Sequence, residues 1–317
     1  MMKRDLFLGI DTSNYTTSVA VIDGEGNLIA NLKRPLTVKE GACGLRQSDA
    51  LFLHTVNLPG ILEEAKSYLS EPPRAIGVSA RPRNVEGSYM PCFLAGVAAA
   101  SAAALTSSAA LYSFSHQCGH LMAAVYSSGR KDLLSSSFGA FHVSGGTTEI
   151  LSVRFCGDGF SAELVGGTRD LNAGQVIDRI GVMLGLSFPC GPALEALALQ
   201  NKKKLPPLRL CVNGTYTNLS GLENMASRLY GETNDKALTA AFTLSFIAET
   251  LDKLTEGYLA AYGDAPILYA GGVMSNTIIK EYLKEKYDAA FAVPQLSADN
   301  ACGVAVLAKH KFYHTEI

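Results

Sequence analysis

The chain has 317 residues, 48% hydrophobic and 18% charged, with a formal net charge of −2 and a pI of about 6.3. That composition excludes a disordered tail, and the length leaves room for two separate cores. The charge balance gives no global positive field to draw the protein onto nucleic acid or membrane, so a nucleic-acid role needs a local basic patch or a partner.

The opening MMKRDLFLGID carries too short an apolar run for a signal-peptide core and reads as the start of a buried strand. Residues 6–10 (LFLGI) and 17–22 (TSVAVI) are predicted strands joined by a polar turn, and GEGN leads to a third strand, LIANL. A helix is predicted over 49–69 and a strand over 75–79. From Gly87 to Gly129 there is no Asp, Glu, Lys or Arg, and residues 93–105 are almost wholly Ala, Gly and Ser with a few larger apolar side chains. A membrane span needs ~20 strongly apolar residues, so this segment is predicted as a helix packed inside a globular core. A short strand at 109–113 then runs into SHQCGHL, residues 115–121.

A similar arrangement recurs from residue 138: FGAFHV, the turn SGGTT, EILSVRF, the turn CGDG, and FSAELV. Sliding the first unit onto the second pairs Ser13 with Ser144, Thr16 with Thr147 and Thr17 with Thr148. A strand–polar turn–strand unit in each half points to a duplicated α/β domain. Further on, NAGQVIDRIGVMLGLS places Val176, Ile177, Ile180, Met183 and Leu184 at helical spacing before SFPCGP breaks it. A long helix over 235–262, a buried strand at 266–270, the turn AGGVMSN, the helix TIIKEYLKEKY and a last helix NACGVAVLAKH complete the order. The alternation predicts an α/β protein with mixed sheets, divided at 1–134 and 135–317, its last helix free to pack back on the first domain.

His116 and His120 stand four apart, so on a helix their rings share one face and can converge on one ion. The alternative is a pair of histidines with ordinary hydrogen bonds. A zinc-peptidase reading lacks its base, because the position beside the first histidine is Gln117 rather than Glu. Three glycine turns, HVSGGTT, FPCGP and AGGVMSN, offer backbone N–H groups beside strand or helix ends, where phosphate binds. Asp178 is either a ligand contact or a paired surface carboxylate. Asp299 either caps the last helix or completes a His–His–Asp site. The seven cysteines, with no CxxC pair, fit reduced thiols in the cytoplasm.

Taken in order, LGIDTSNYTTSVAVID, SHQCGHL, HVSGGTTEI, AGQVIDRIGVMLGLSFPCGP, AGGVMSN and SADNA closely resemble the TsaD/Gcp family, formerly classed as peptidase family M22. The resemblance implies the actin/Hsp70/sugar-kinase fold, two related ribonuclease H-like domains with a nucleotide in the cleft. It implies that His116, His120 and Asp299 hold one divalent metal, iron or zinc. It further implies that Ser144, Gly145, Gly146, Asp178, Gly191 and Asn276 contact ATP or threonylcarbamoyl-adenylate. The activity implied is transfer of the threonylcarbamoyl group to N6 of adenine 37 of tRNA, in the cytoplasm, with a TsaB-like subunit and a companion ATPase as partners and no membrane. The chain departs from the pattern at several points. The family's ETSCDET is DTSNYTT here, placing Tyr15 and Thr16 at its catalytic acidic pair. Its GPG is RPRN, its SGGH is SGGT, and its GEAFD is GQVID with Gln175. These departures also fit a second reading, a non-catalytic paralogue that binds metal and nucleotide as a scaffold in a complex. A small-molecule transferase or kinase of the same fold is a third.

Overall fold

The structure, a computed structural model, describes residues 5–13, 15–37, 45–297 and 301–315. From the N-terminus the chain forms a three-strand meander, β1 (Leu6–Asp11), β2 (Thr16–Asp23) and β3 (Leu28–Pro35). Next come α1 (Gln47–Lys66), β4 (Ala75–Arg81), α2 (Phe93–Ser107), β5 (Ala110–Ser115) and α3 (His116–Ser128). A second meander follows, β6 (Ser137–Val143), β7 (Thr148–Phe155) and β8 (Phe160–Thr168), then α4 (Ala173–Met183) and α5 (Gly191–Ala198). The short strands β9 (Val212–Asn213) and β10 (Tyr216–Thr217) precede α6 (Ser220–Thr233), α7 (Lys236–Tyr262) and β11 (Ile267–Ala270). The chain ends with α8 (Thr277–Lys284), β12 (Ala289–Phe291), α9 (Pro294–Ser297) and α10 (Cys302–Thr315). Two compact units divide it: Met1–Lys131 with Phe155–Ser161 and Gln295–Ile317, and Asp132–Arg154 with Ala162–Pro294.

In the first unit the strand order is β3-β2-β1-β4-β5. β1 pairs antiparallel with β2 and parallel with β4. Being central, it buries both faces, and the period of two sorts its side chains. Leu6, Leu8 and Ile10 enter a core with Leu58 and Ile61 of α1 and Ala95, Ala100 and Ala104 of α2. Burying each of the large side chains contributes roughly 1.5–3 kcal/mol. Phe7 meets Phe312 and Tyr313 of α10 at ring distances of 5.7 and 5.6 Å. Gly9 and Gly77 let α10 lie against the sheet, since a Cβ on them would sit 2.2 Å from the Ala301 carbonyl and 2.1 Å from that of Val304. The Ala-rich α2 is not enclosed in the core as expected: it buries Phe93, Ala95, Gly96, Ala100 and Ala104 and leaves Leu94 and Leu105 exposed on its other side. Among the described residues no helix is long and apolar enough to cross a membrane.

The second unit repeats the plan. Its sheet runs β12-β11-β6-β7-β8-β10-β9. Without the two-residue edge pair, this is again third strand, second, first, then two parallel strands. The repeat seen in the hydroxyls of the two turns is thus a repeat of topology. Sequence reasoning did not anticipate α5, α6, β12 and the β9–β10 pair. The AGGVMSN turn is wound into a 3-10 turn, Gly272–Ser275.

Candidate functional site

In the first unit, β5 ends where the Ser115 side chain accepts from the Cys118 N–H at 3.2 Å and caps α3. His116 is therefore the first residue of the helix and His120 lies one turn on. Their Nε2 atoms face each other at 2.9 Å, with ring centroids 4.3 Å apart. Two imidazole nitrogens at that spacing share either a proton or a cation. The other nitrogen of His116, Nδ1, lies 2.9 Å from Asp11 Oδ2. Asp11 is 1% exposed, at the end of β1. Its Oδ1 accepts from the Ser13 N–H at 2.8 Å and from the Ser13 hydroxyl, and its Oδ2 also accepts from the Ser79 hydroxyl. Burial alone would raise the Asp11 pKa. The His116 charge and the hydrogen bonds from His116, Ser13 and Ser79 outweigh it and hold the carboxyl below its ordinary value.

This donor set suits a metal. Imidazole is a ligand for iron and zinc, and a carboxylate on Nδ1 fixes the ring so that Nε2 presents its lone pair. Among the described residues no group of three His, Cys, Asp or Glu is gathered, and Asp299, the expected third ligand, lies outside the described residues. Tyr15 is exposed, its carbonyl accepting from the Leu36 N–H at 2.7 Å, and Thr16 opens β2. The acid of this loop that reaches the histidine is Asp11. The signal for it was an Asp closing an apolar strand with Ser two residues on, an Asx turn. The RPRN loop lies beside α3: Gln117 N–H donates to the Pro82 carbonyl at 3.1 Å, and the Asn84 amide reaches Cys118 Sγ at 3.1 Å.

In the second unit, Ser144, Gly145 and Gly146 follow β6 and Asn276 follows β11, at the C-terminal ends of parallel strands, where open α/β sheets bind ligands. Asp178 lies within α4 and Gly191 starts α5. The Ser144–Thr147 turn is closed by Ser144 N–H donating to the Thr147 carbonyl at 2.7 Å. α4 starts on top of it: Gly174 N–H donates to the Ser144 carbonyl at 3.1 Å, and Ala173 N–H to Thr148 Oγ1 at 2.9 Å. A Cβ on Gly174 would lie 2.6 Å from Gly145 N, so only glycine permits this approach. Gly271, at φ +103°, brings the next loop against the Val143 carbonyl, 2.3 Å from where a Cβ would stand. Gly145, Gly146, Gly191 and Gly272 differ: a Cβ on each would meet nothing within 4 Å. That leaves space beside the backbone for a ligand to approach, although the Gly146 N–H itself donates to Ser144 Oγ at 3.3 Å.

Asp178 Oδ1 accepts from the Cys190 N–H at 2.8 Å and so holds the FPCGP turn that starts α5 at Gly191. Asn276 caps α8 by accepting from the Ile279 N–H at 3.1 Å. Glu195, one turn along α5 from Gly191, accepts from the Thr277 N–H at 2.7 Å and from its hydroxyl. The starts of α5 and α8 are therefore neighbours, and with α4 three helix N-termini lie around the glycine turns, a setting that favours an anion. Gln175 has a structural task, its Oε1 accepting from the Asn172 N–H at 3.0 Å in a capping box. The most compact basic run in the sequence is KKK at 202–204; in it Lys203 pairs with Asp235 at 2.8 Å, and Lys202 and Lys204 are exposed.

Comparison with known proteins shows the family and the fold. The family model described as TsaD, tRNA N6-adenosine threonylcarbamoyltransferase, matches residues 48–306. A tRNA N6-adenosine threonylcarbamoyltransferase of Streptococcus suis is 30% identical, covering 100% of this chain and 95% of its own length. One from Thermus thermophilus is 31% identical over 97% and 92%. One from Methanopyrus kandleri is 28% identical over 94% and 85%. Among solved structures, component A of an Acidaminococcus fermentans (R)-2-hydroxyglutaryl-CoA dehydratase superposes with a TM-score of 0.53 at 15% identity, covering 98% of this chain and 99% of its own. Full-length HypF in its phosphate- and nucleotide-bound form gives 0.58 at 10%, over 100% and 57%. The shared fold is the actin/Hsp70/sugar-kinase fold.

Proposed function

Because this chain belongs to the tRNA N6-adenosine threonylcarbamoyltransferase (TsaD) family of acyltransferases, which works in the N6-threonylcarbamoyl modification of tRNA, we propose that it moves the threonylcarbamoyl group from threonylcarbamoyl-adenylate to N6 of adenine 37. The observation that carries the reading is the family match over residues 48–306, extended across the whole chain by the relatives. In this reading the amine nitrogen bonds the carbamoyl carbon and the bond from that carbon to the phosphate oxygen breaks. AMP leaves with the electron pair, and the proton of the amine passes to water. AMP is a good leaving group, so the step asks for positioning and charge stabilisation more than for a strong base. Gln117 beside His116 is compatible with that requirement.

Each unit has a part. The bare backbone of Gly145 and Gly146 and the starts of α4, α5 and α8 hold the adenylate, with Ser144, Asp178, Gly191 and Asn276 around it. His116 and His120, with Asp299, hold one divalent iron or zinc ion, and Asp11 keeps His116 oriented. When bound, such an ion supplies Lewis acidity that neutralises charge on phosphate and carbonyl oxygens. With a pI of about 6.3, the chain shares tRNA binding with partners, a TsaB-like subunit and a companion ATPase, in the cytoplasm.

The test is reconstitution with threonylcarbamoyl-adenylate, unmodified tRNA and the partner proteins, reading the modified nucleoside by mass spectrometry. The expected result is product from the wild type and none from His116→Ala. A wild type that binds nucleotide yet makes no modified nucleoside overturns the reading.

A further inference from the structure

The last helix carries a second HxxxH, His310 and His314, which the reading above leaves unused. The two pairs are nearly superposable in their internal geometry. His314 Nε2 lies 3.0 Å from His310 Nε2, against 2.9 Å for the first pair. The ring centroids are 4.0 Å apart with planes at 77°, against 4.3 Å and 79°. They are separate places on the molecule. Gly303 of α10 lies against Gly119 of α3, and His310 stands seven residues further on, about 10 Å along the helix.

Further features make the second pair more than a spacing. His310 is half-buried, and its ring lies edge-on to Phe155 at 4.9 Å and 84°, so one ligand is already held in place. His314 is exposed, so an ion reaches the pair from solvent and keeps its remaining positions for water. His314 lies in the last turn of α10, where the helix dipole favours a cation. Of the adjacent lysines, Lys311 is paired, its Nζ 3.0 Å from Asp158 Oδ2, while Lys309, with its Nζ over Gly26, is near enough for its charge to act on His310.

We propose that His310 and His314 form a second metal site, a two-imidazole surface site for a divalent transition ion of the zinc, nickel or copper class. Imidazole donors select these ions over magnesium and calcium. The proposal does not depend on the reaction assigned to the protein.

The test is equilibrium dialysis of the untagged, metal-stripped full chain against zinc, with bound metal counted by elemental mass spectrometry. The His116→Ala/His120→Ala double variant is expected to keep one zinc and to lose it on adding His314→Ala. In the wild type, His314→Ala alone removes one equivalent. Because His314 is exposed, its replacement removes only its contact with His310, and His310→Gln is the second variant; both are checked by their melting curves. A double variant that binds no zinc, or whose zinc is indifferent to His314→Ala, shows a pair that only shares a proton and overturns the proposal. Loss of zinc through His116 alone would leave the first site standing and the second refuted.

Discussion

The two units use the same turn for opposite ends. After β1 the chain fills the turn with side chains: Asp11, Thr12 and Ser13 are buried and bonded inward, Thr12 Oγ1 donating to the Cys92 carbonyl at 3.0 Å. After β6, the matching turn is stripped to Ser144, Gly145 and Gly146, and the two glycines meet nothing a Cβ would touch. One copy has become a support that fixes an imidazole. The other is left with open space where side chains would stand. Duplication supplied the topology, and the side chains at one turn decided which chemistry each copy serves.

The sharpest way to break this contrast is at the glycines. Gly145→Ala is expected to leave the melting temperature unchanged while weakening adenylate binding and transfer, because its methyl would fill the open space over the turn that the ligand needs. Gly174→Ala, whose Cβ would press on Gly145 N at 2.6 Å, is expected to destabilise the fold by ~1–3 kcal/mol. Thermal melting beside adenylate binding separates them. A Gly145→Ala protein that melts early and binds normally would make that turn structural.

Next in size is Asp11→Asn. The amide keeps an acceptor for Ser13 or Ser79 but offers N–H hydrogens toward His116 Nδ1, so the ring shifts its proton to Nε2, the atom facing His120. Metal affinity is expected to fall roughly 10–100-fold, the usual cost of losing an outer-shell partner. Metal titration followed by calorimetry checks this. Unchanged affinity would show that Asp11 serves only the packing of β1.

A smaller effect belongs to Asp170, which lies in the second unit. Its carboxylate accepts from the Leu171, Leu219 and Ser220 N–H groups and from the Ser220 hydroxyl. Desolvation would raise its pKa, but these bonds together hold it well below the ordinary 3.8. A depressed carboxyl contributes stability above its unfolded pKa and loses it as pH falls through the folded value. The stability gap between wild type and Asp170→Asn is therefore expected to be flat above pH ~5 and to narrow in acid below about 3.8. Urea midpoints at stepped pH measure it, and a gap that widens in acid contradicts the assignment.

Much of this was legible in the sequence, and the reasons are local. Strand, turn and strand follow each other within about twenty residues in each half, so hydroxyls at matching turns exposed the duplication before any coordinate did. The His116–His120 pair is one helical turn. Asp11 was harder because its partners Ser79 and His116 lie 68 and 105 residues away, and only the parallel pairing of β1, β4 and β5 brings them to one sheet end. α6 escaped notice because it buries only Leu222 and Ala226, too thin an apolar stripe for periodicity to show. Gln175 looked like a lost carboxylate because the sequence does not print hydrogen bonds.

Gln175 gives the finest test of the comparison, since it separates a residue kept for the fold from one kept for the reaction. Its Oε1 accepts from Asn172 N–H, so its duty is to close the first turn of α4 above the glycine turn. Gln175→Glu restores the family's residue and keeps the acceptor. It also adds a negative charge at a helix N-terminus, worth ~0.3–1 kcal/mol. The expected outcome is a melting temperature raised by a degree or two with transfer unchanged. Gln175→Ala, which opens the capping box, should cost about 0.5–1 kcal/mol by the same measurement. If Gln175→Glu instead speeds transfer several-fold without moving the melting curve, the side chain acts on substrate, and the second copy of the turn relies on more than bare backbone.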